Sequence, residues 1–143
     1  MKIRVAQPSD FDSVVQLLQL AELVTDDLDG NLKNFVVGIK DQQICAAGGL
    51  EVLGKIALLR SVVVAEQMRG EKAGSKIVTA LLHMAAQLRL GQLFLLTNSV
   101  EYFFSQHGFA IIDRKVAPPS ITNTVQFSEL CPDTAHLMSL SLE

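Results

Sequence analysis

The chain has 143 residues, 49% of them hydrophobic and 19% charged, with a formal net charge of −3. That length suits one compact domain spanning residues 1–143, and so much apolar surface offsets the entropy cost of ordering, which excludes a disordered chain. The weak negative charge, with no cluster of lysine or arginine, argues against a nucleic-acid partner, and no apolar run approaches the ~20 residues of a membrane span.

Residues 3–6 alternate apolar and polar side chains as a strand does, and Pro8-Ser9-Asp10 then signals a helix carrying Phe11, Val14, Val15, Leu17, Leu18 and Ala21 at helical spacing. The start Met1-Lys2-Ile3-Arg4-Val5 reads as strand and not as a signal peptide, so a cytoplasmic location is the expectation. The polar segment Thr25-Asp26-Asp27-Leu28-Asp29-Gly30 suits a mobile stretch or the cap of a short second helix. Residues 34–40, 43–52 and 55–64 read as an antiparallel meander broken at Asp41-Gln42 and Leu53-Gly54.

A long amphipathic helix is predicted over 73–90, with Ile77, Val78, Leu81, Leu82, Ala85 and Leu88 on its apolar face and Gly91 at its end. A buried strand over 92–97, a short aromatic helix over 100–107 closed by Gly108, and a strand over 109–116 follow. This strand–helix alternation implies a parallel element after the meander. Residues 117–132 read as loop with one helical turn, and 134–142 as a last strand. Cys45 and Cys131 have no spacing that suggests zinc or a redox pair and read as buried thiols.

The run Val62-Val63-Val64-Ala65-Glu66-Gln67-Met68-Arg69-Gly70-Glu71-Lys72-Ala73-Gly74-Ser75 resembles the cofactor motif of the GNAT superfamily of N-acetyltransferases, in which a strand enters an Arg/Gln-x-x-Gly-x-Gly/Ala loop that opens a long helix. Backbone N–H groups at such a helix start form an anion site fit for a pyrophosphate. Arg69, Gly70, Ala73 and Gly74 follow the motif, while Lys72 stands at its central glycine and must point away from the phosphates or offer them a charge. Val100 to Phe109 resembles the superfamily's later Ala-x-x-Phe-Tyr-x-x-x-Gly-Phe segment. The tyrosine often credited there with protonating the leaving thiolate aligns with Phe104, and Tyr102 points elsewhere on a helix; the usual asparagine aligns with Thr97, with Asn98 beside it. Gly49-Leu50-Glu51, Leu58-Leu59-Arg60-Ser61-Val62 and Phe127-x-x-Leu130-Cys131-Pro132-x-x-Ala135 resemble a small GNAT group that accompanies bacterial arsenic-resistance genes.

The resemblance implies a mixed α/β fold: a mostly antiparallel sheet of six to seven strands, splayed between the fourth and fifth and flanked by about four helices. It implies acetyl-CoA as cofactor, bound by Val62, Val64, Arg69, Gly70, Glu71, Lys72, Ala73, Gly74, Ser75, Asn98 and Phe104, and a small amine substrate, an amino acid or amino-acid-like arsenical. The Val62 and Val64 amides, beside a bulge, would meet the acetyl carbonyl. Glu51 is either a solvated strand-end carboxylate or the general base. Arg60 lies in a run that otherwise reads as buried; it is either half of a structural ion pair, with Glu51 a candidate partner, or a fork for the substrate carboxylate. Thr25 is a further candidate on the substrate side. His83 reads as a boundary residue and His107 as a cation at a helix end. A non-catalytic acyl-CoA sensor is the alternative, and a homodimer through the last strand is the fold-level expectation.

Overall fold

The structure, a computed structural model, describes residues 1–70, 72–130 and 134–143, with Glu129 and Leu130 described by backbone alone. Seven strands form one sheet in the order β1-β2-β3-β4-β5-β7-β6: β1 Lys2–Val5, β2 Phe35–Lys40, β3 Gln43–Leu53, β4 Ile56–Val64, β5 Gln92–Thr97, β6 Ala110–Ile112 and β7 His136–Ser141. All neighbours are antiparallel except β4 and β5, as the helix between these two requires. The β2–β3 hairpin turns on Asp41 and Gln42, both at positive φ, the geometry that a two-residue hairpin loop demands. The β3–β4 turn sits one residue later than expected, on Gly54 at φ 70° and Lys55, because Leu53 pairs with Ile56.

Helices cover both faces. Helix α1, Phe11–Leu20, buries Val14, Leu17 and Leu18 with Leu32, Phe35, Val37 and Ala47. Asp10 fixes its start, accepting the Gln7 N–H at 2.8 Å and both Arg4 guanidinium nitrogens at 2.7 and 3.0 Å. That guanidinium, against some burial, holds the Asp10 carboxyl below its ordinary range. The opposite face takes α2, Ala73–Gln87, whose Ile77, Val78, Leu81 and Ala85 are buried on Ala46, Leu50, Leu59, Leu93 and Leu95. Residues spaced by four and eight on a helix share a face, which is why one stripe seals a sheet surface.

The long helix ends three residues earlier than its pattern predicts. Arg89, not Gly91, takes the left-handed position at φ 58°, and Leu90 N–H reaches Ala85 O at 3.0 Å. Gly91 instead gives its N–H to Lys55 O at 2.7 Å and enters β5. The segment 21–34 is a series of turns rather than a second helix. The strand expected over 109–116 stops at Ile112, since Asp113 Oδ1 accepts the Lys115 N–H at 2.9 Å and winds Arg114–Val116 into a tight turn. Helix α3, Glu101–Ser105, does end as expected, on Gly108 at φ 96°. A short α4, Pro119–Thr122, and a wide turn over Gln126–Leu130 pack Ile121 against Leu58, Phe94 and Leu137. Strand β7 is interior, paired with β5 on one edge and with β6 over Leu137–Ser139 on the other, so over that stretch it offers no free edge for the expected dimer. No helix among the described residues is long and apolar enough to cross a membrane.

Candidate active site

Strand β4 runs beside β5 for three pairs only, Ile56–Gln92, Ala57–Leu93 and Leu58–Phe94. Beyond them β5 continues along β7 through Thr97–His136, while β4 continues along β3, and the sheet divides. Ser61 marks the break: it sits at φ 59°, and the β3–β4 register slips where Ala47 and Gly49 face Val63 and Arg60. Such a bulge adds twist and re-aims the strand. Ala65 gives its N–H to Cys45 O at 2.7 Å, so strand alternation turns the Val62 and Val64 N–H groups the other way, toward the division.

The chain past β4 forms the loop that the sequence singles out. Buried Met68 closes the tight turn Glu66–Met68, Gly70 stands at φ 86° and Lys72 at φ 60°, and α2 begins at Ala73. Lys72 thus adopts the left-handed backbone that the motif's glycine would supply, at the strain cost of a side chain there. Its side chain borders a recess with Ile3, Ser75, Lys76, Thr79 and His83, along the outer side of α2. Among the described residues no side chain caps the start of α2 and its first turn carries no acid, which leaves N–H groups for an outside acceptor. A Cβ added at Gly70 would meet nothing within 4 Å, and one at Gly74 would stand 3.4 Å from the Phe103 ring. Open space, unclaimed donors and exposed Arg69 fit the pyrophosphate of a CoA. Glu71, expected in the same set, lies outside the described residues, as do Cys131 and Pro132.

Across the division, three charges meet on the α1 face. Arg60 is 7% exposed. Its Nη1 donates to Asp27 Oδ2 and its Nη2 to Asp27 Oδ1, both at 2.6 Å, and its Nε donates to Ser61 Oγ at 3.1 Å. Glu51 Oε1 lies 3.7 Å from Nη1. The Glu51 partner considered for Arg60 is present as the looser ion pair, and the tighter, bidentate partner is Asp27, which the sequence did not single out. Thr25, the candidate chosen from that turn segment, caps the turn by accepting Leu28 N–H at 3.1 Å; Asp27, two residues on, is the one that reaches the sheet. Gln126 Nε2 donates to Asp27 Oδ1 at 3.3 Å and ties the second covering segment to the same carboxylate.

Burial pushes the Asp27 carboxyl up, but the hydrogen bonds and charge of Arg60, with Gln126 adding to them, outweigh it and hold it below the ordinary value. Glu51 is shifted the other way. Burial raises it, the charge of Arg60 opposes, and Asp27 adds to the rise. Two carboxylates beside one guanidinium are thus driven apart, Asp27 below and Glu51 above the ordinary value. Asp27, Asp29, Lys33, Phe35, Glu51 and Arg60 border a recess of about 530 Å³.

Helix α3 closes the loop side. Phe104 is buried in the core against Phe103 and Phe109, so it presents neither a proton nor an open surface; Phe103 is the ring next to Gly74. Tyr102 is 76% exposed. Asn98 is exposed at the end of β5, while Thr97 Oγ1 accepts the Val100 N–H at 3.3 Å. His107, expected only to balance a helix end, has its Nε2 3.2 Å from Ser75 Oγ and joins the end of α3 to the first turn of α2. Asp27, Gln126 and this histidine contact are what sequence reasoning missed. For Asp27 the only signal was an acidic turn segment, in which nothing set it apart from Asp26 or Asp29.

Residues 4–109 match the model of the acetyltransferase (GNAT) family. The amino-acid acetyltransferase of Mycobacterium tuberculosis is 33% identical over 90 residues, 62% of this chain and 48% of that protein, so the chain spans about half the length of the curated relative it matches. Rv2747 from Mycobacterium tuberculosis, solved in complex with CoA and NLQ, superposes with a TM-score of 0.83 at 23% identity over 100% of both chains. A GNAT-family acetyltransferase from Staphylococcus aureus Mu50 gives 0.79 at 20% identity over 99% of each. The N-acetylglutamate synthase from Neisseria gonorrhoeae, complexed with coenzyme A and L-arginine, gives 0.82 at 15% identity over 99% of this chain and 33% of that one. At these identities the structural neighbours speak to the fold. The family match spans the divided strand, the glycine loop and the capped aromatic helix, and the chain belongs to the acetyltransferase (GNAT) family.

Proposed function

We propose that this chain is an N-acetyltransferase that uses acetyl-CoA to acetylate the amine of a small amino acid. The observation that carries the reading is the buried Arg60 with Glu51 3.7 Å away, beside the division of the sheet and across it from an uncapped helix start. Acetyl-CoA, when bound, supplies an activated acetyl thioester. In this reading Gly70, Lys72, Ala73, Gly74 and Ser75 cradle its pyrophosphate with backbone N–H groups, and the Val62 and Val64 amides polarise the acyl carbonyl. Arg60 holds the acceptor's carboxylate as a fork, and Glu51 takes the ammonium proton directly or through one water. Holding both partners across the division supplies much of the rate. The buried Phe104 gives no acid, which the chemistry tolerates because a thiol titrates near about 8.5 and leaves readily as thiolate. An amino-acid-like arsenical belongs to the same acceptor class, and the segments around Glu51 and Arg60 that resemble the arsenic-associated group are its support.

The test is release of free thiol from acetyl-CoA with L-glutamate, L-glutamine, L-arginine and L-alanine, each beside its α-carboxamide. The reading expects at least one amino acid to turn over and to outpace its amide. CoA binding without thiol release for any acceptor would instead make the chain an acyl-CoA sensor.

A further inference from the structure

The fork assigned to the acceptor is already filled. Asp27 engages Nη1 and Nη2 of Arg60 side by side at 2.6 Å, and Ser61 Oγ accepts the Nε–H hydrogen bond, so a second carboxylate has no free bidentate place. It can take that two-point place only by exchange. We propose that Asp27 is a specificity-determining residue: a carboxylate carried by the chain that occupies the Arg60 fork until the carboxylate of an acceptor exchanges with it. The inference rests on the reading of Arg60 as the acceptor's anchor and goes beyond it by naming what guards that anchor.

Three features make the exchange feasible. First, Asp27 is held by side chains, Arg60 of the sheet and Gln126 of the second covering segment, while the backbone bonds of its own segment, Leu28 N–H to Thr25 O and Leu32 N–H to Asp29 O, are internal to the turns. Releasing Asp27 therefore breaks no ladder bond of the sheet, and buried Leu32 holds the segment in place beyond it. Secondly, the pair borders the 530 Å³ recess instead of the closed core, so an incoming carboxylate meets it from solvent. Thirdly, the trade is like for like. Leaving a buried guanidinium unpaired is costly, and one carboxylate replacing another never leaves it so. An amine without a carboxylate has nothing to exchange and meets Asp27 still in place. Asp27 thus lowers a carboxylate acceptor's apparent affinity by the fraction of open forks and leaves an amine that makes no use of the fork untouched, so it sets how strongly carboxylates are preferred.

The test compares the intact chain with Asp27→Asn, which keeps the side chain's shape and removes its charge, and with Arg60→Met. KM is measured for each amino acid and α-carboxamide of the panel above. With Asp27→Asn the ratio of amide KM to amino-acid KM should rise at least about fivefold, because the amino acid loses its competitor; with Arg60→Met the ratio should fall to about one. If Arg60→Met collapses the ratio but Asp27→Asn leaves it unchanged or lowers it, Arg60 is the anchor and Asp27 is no guard. If Arg60→Met leaves the ratio intact, the anchor itself is misassigned and the proposed guard goes with it. Hydrogen exchange on the unaltered protein with CoA needs no variant to fold. A saturating amino acid that turns over should speed exchange of the Leu28 amide while its α-carboxamide does not, and an unchanged Leu28 amide with the amino acid overturns the exchange.

Discussion

The two sides of the divided sheet are built by different means. The loop side is made of backbone: a helix start that no described side chain caps, two left-handed residues and open space at Gly70, all within a few consecutive positions. The recess side is made of side chains from four separate stretches, with Arg60 33 positions from Asp27 and Asp27 99 positions from Gln126. A backbone site asks only that certain side chains be absent, and it serves any cofactor that presents a pyrophosphate. A side-chain site must be assembled by the tertiary fold, and it is where discrimination between acceptors resides.

The sharpest way to break this contrast is Gly74→Asp. An acid near a helix start favours the helix and a Cβ at Gly74 meets the Phe103 ring only at contact distance, 3.4 Å, so the fold should persist, while the added negative charge repels a pyrophosphate held at the same helix start. CoA affinity should fall by roughly a hundredfold or more, about 2.8 kcal/mol, in titration calorimetry. Undiminished affinity would place the cofactor elsewhere.

Glu51→Gln probes the opposite side. It should lower kcat by roughly a hundredfold, the lower end of general-base catalysis, and leave CoA affinity alone. The sign of the pH effect follows from the raised Glu51 carboxyl. A base works only when ionised, so wild-type kcat should fall as pH drops through this raised value. The gap between wild type and the Gln variant should be widest above that pH and close below it. A gap that stays constant across the pH profile would remove Glu51 from the chemistry.

The smallest effect is expected at Lys72→Gly. The change relieves a left-handed side chain but adds freedom to the unfolded state, so the net gain should be about 0.5–1 kcal/mol, or about 2–4 °C in Tm. Because Lys72 borders the recess outside α2, CoA affinity should move less than the fold stability suggests. A large loss of affinity would mean that this ammonium does serve the phosphates.

What the sequence determined is what nearest neighbours along the chain determine. The meander came from alternation in residues 34–64, α2 from the spacing of Ile77, Val78, Leu81 and Ala85, and the loop from Gly70 and Gly74 at the start of that helix. Charge at Arg60 and Glu51 was legible as an anomaly, since ionised groups do not belong in apolar strands without a partner. The partner was not legible. An acidic turn offers Asp26, Asp27 and Asp29 on equal terms, and only the packing of Leu32 and Phe35 under α1 brings the second of them to the guanidinium. The helix end at Arg89 and the interior place of β7 were decided in the same way. Gly91 was claimed by Lys55 across the sheet, and the last strand was paired on both sides by elements far from it in sequence. Local pattern sets which element forms; a hydrogen bond or ion pair with a distant residue goes to whichever group the packed core holds within reach, and that choice belongs to the tertiary structure.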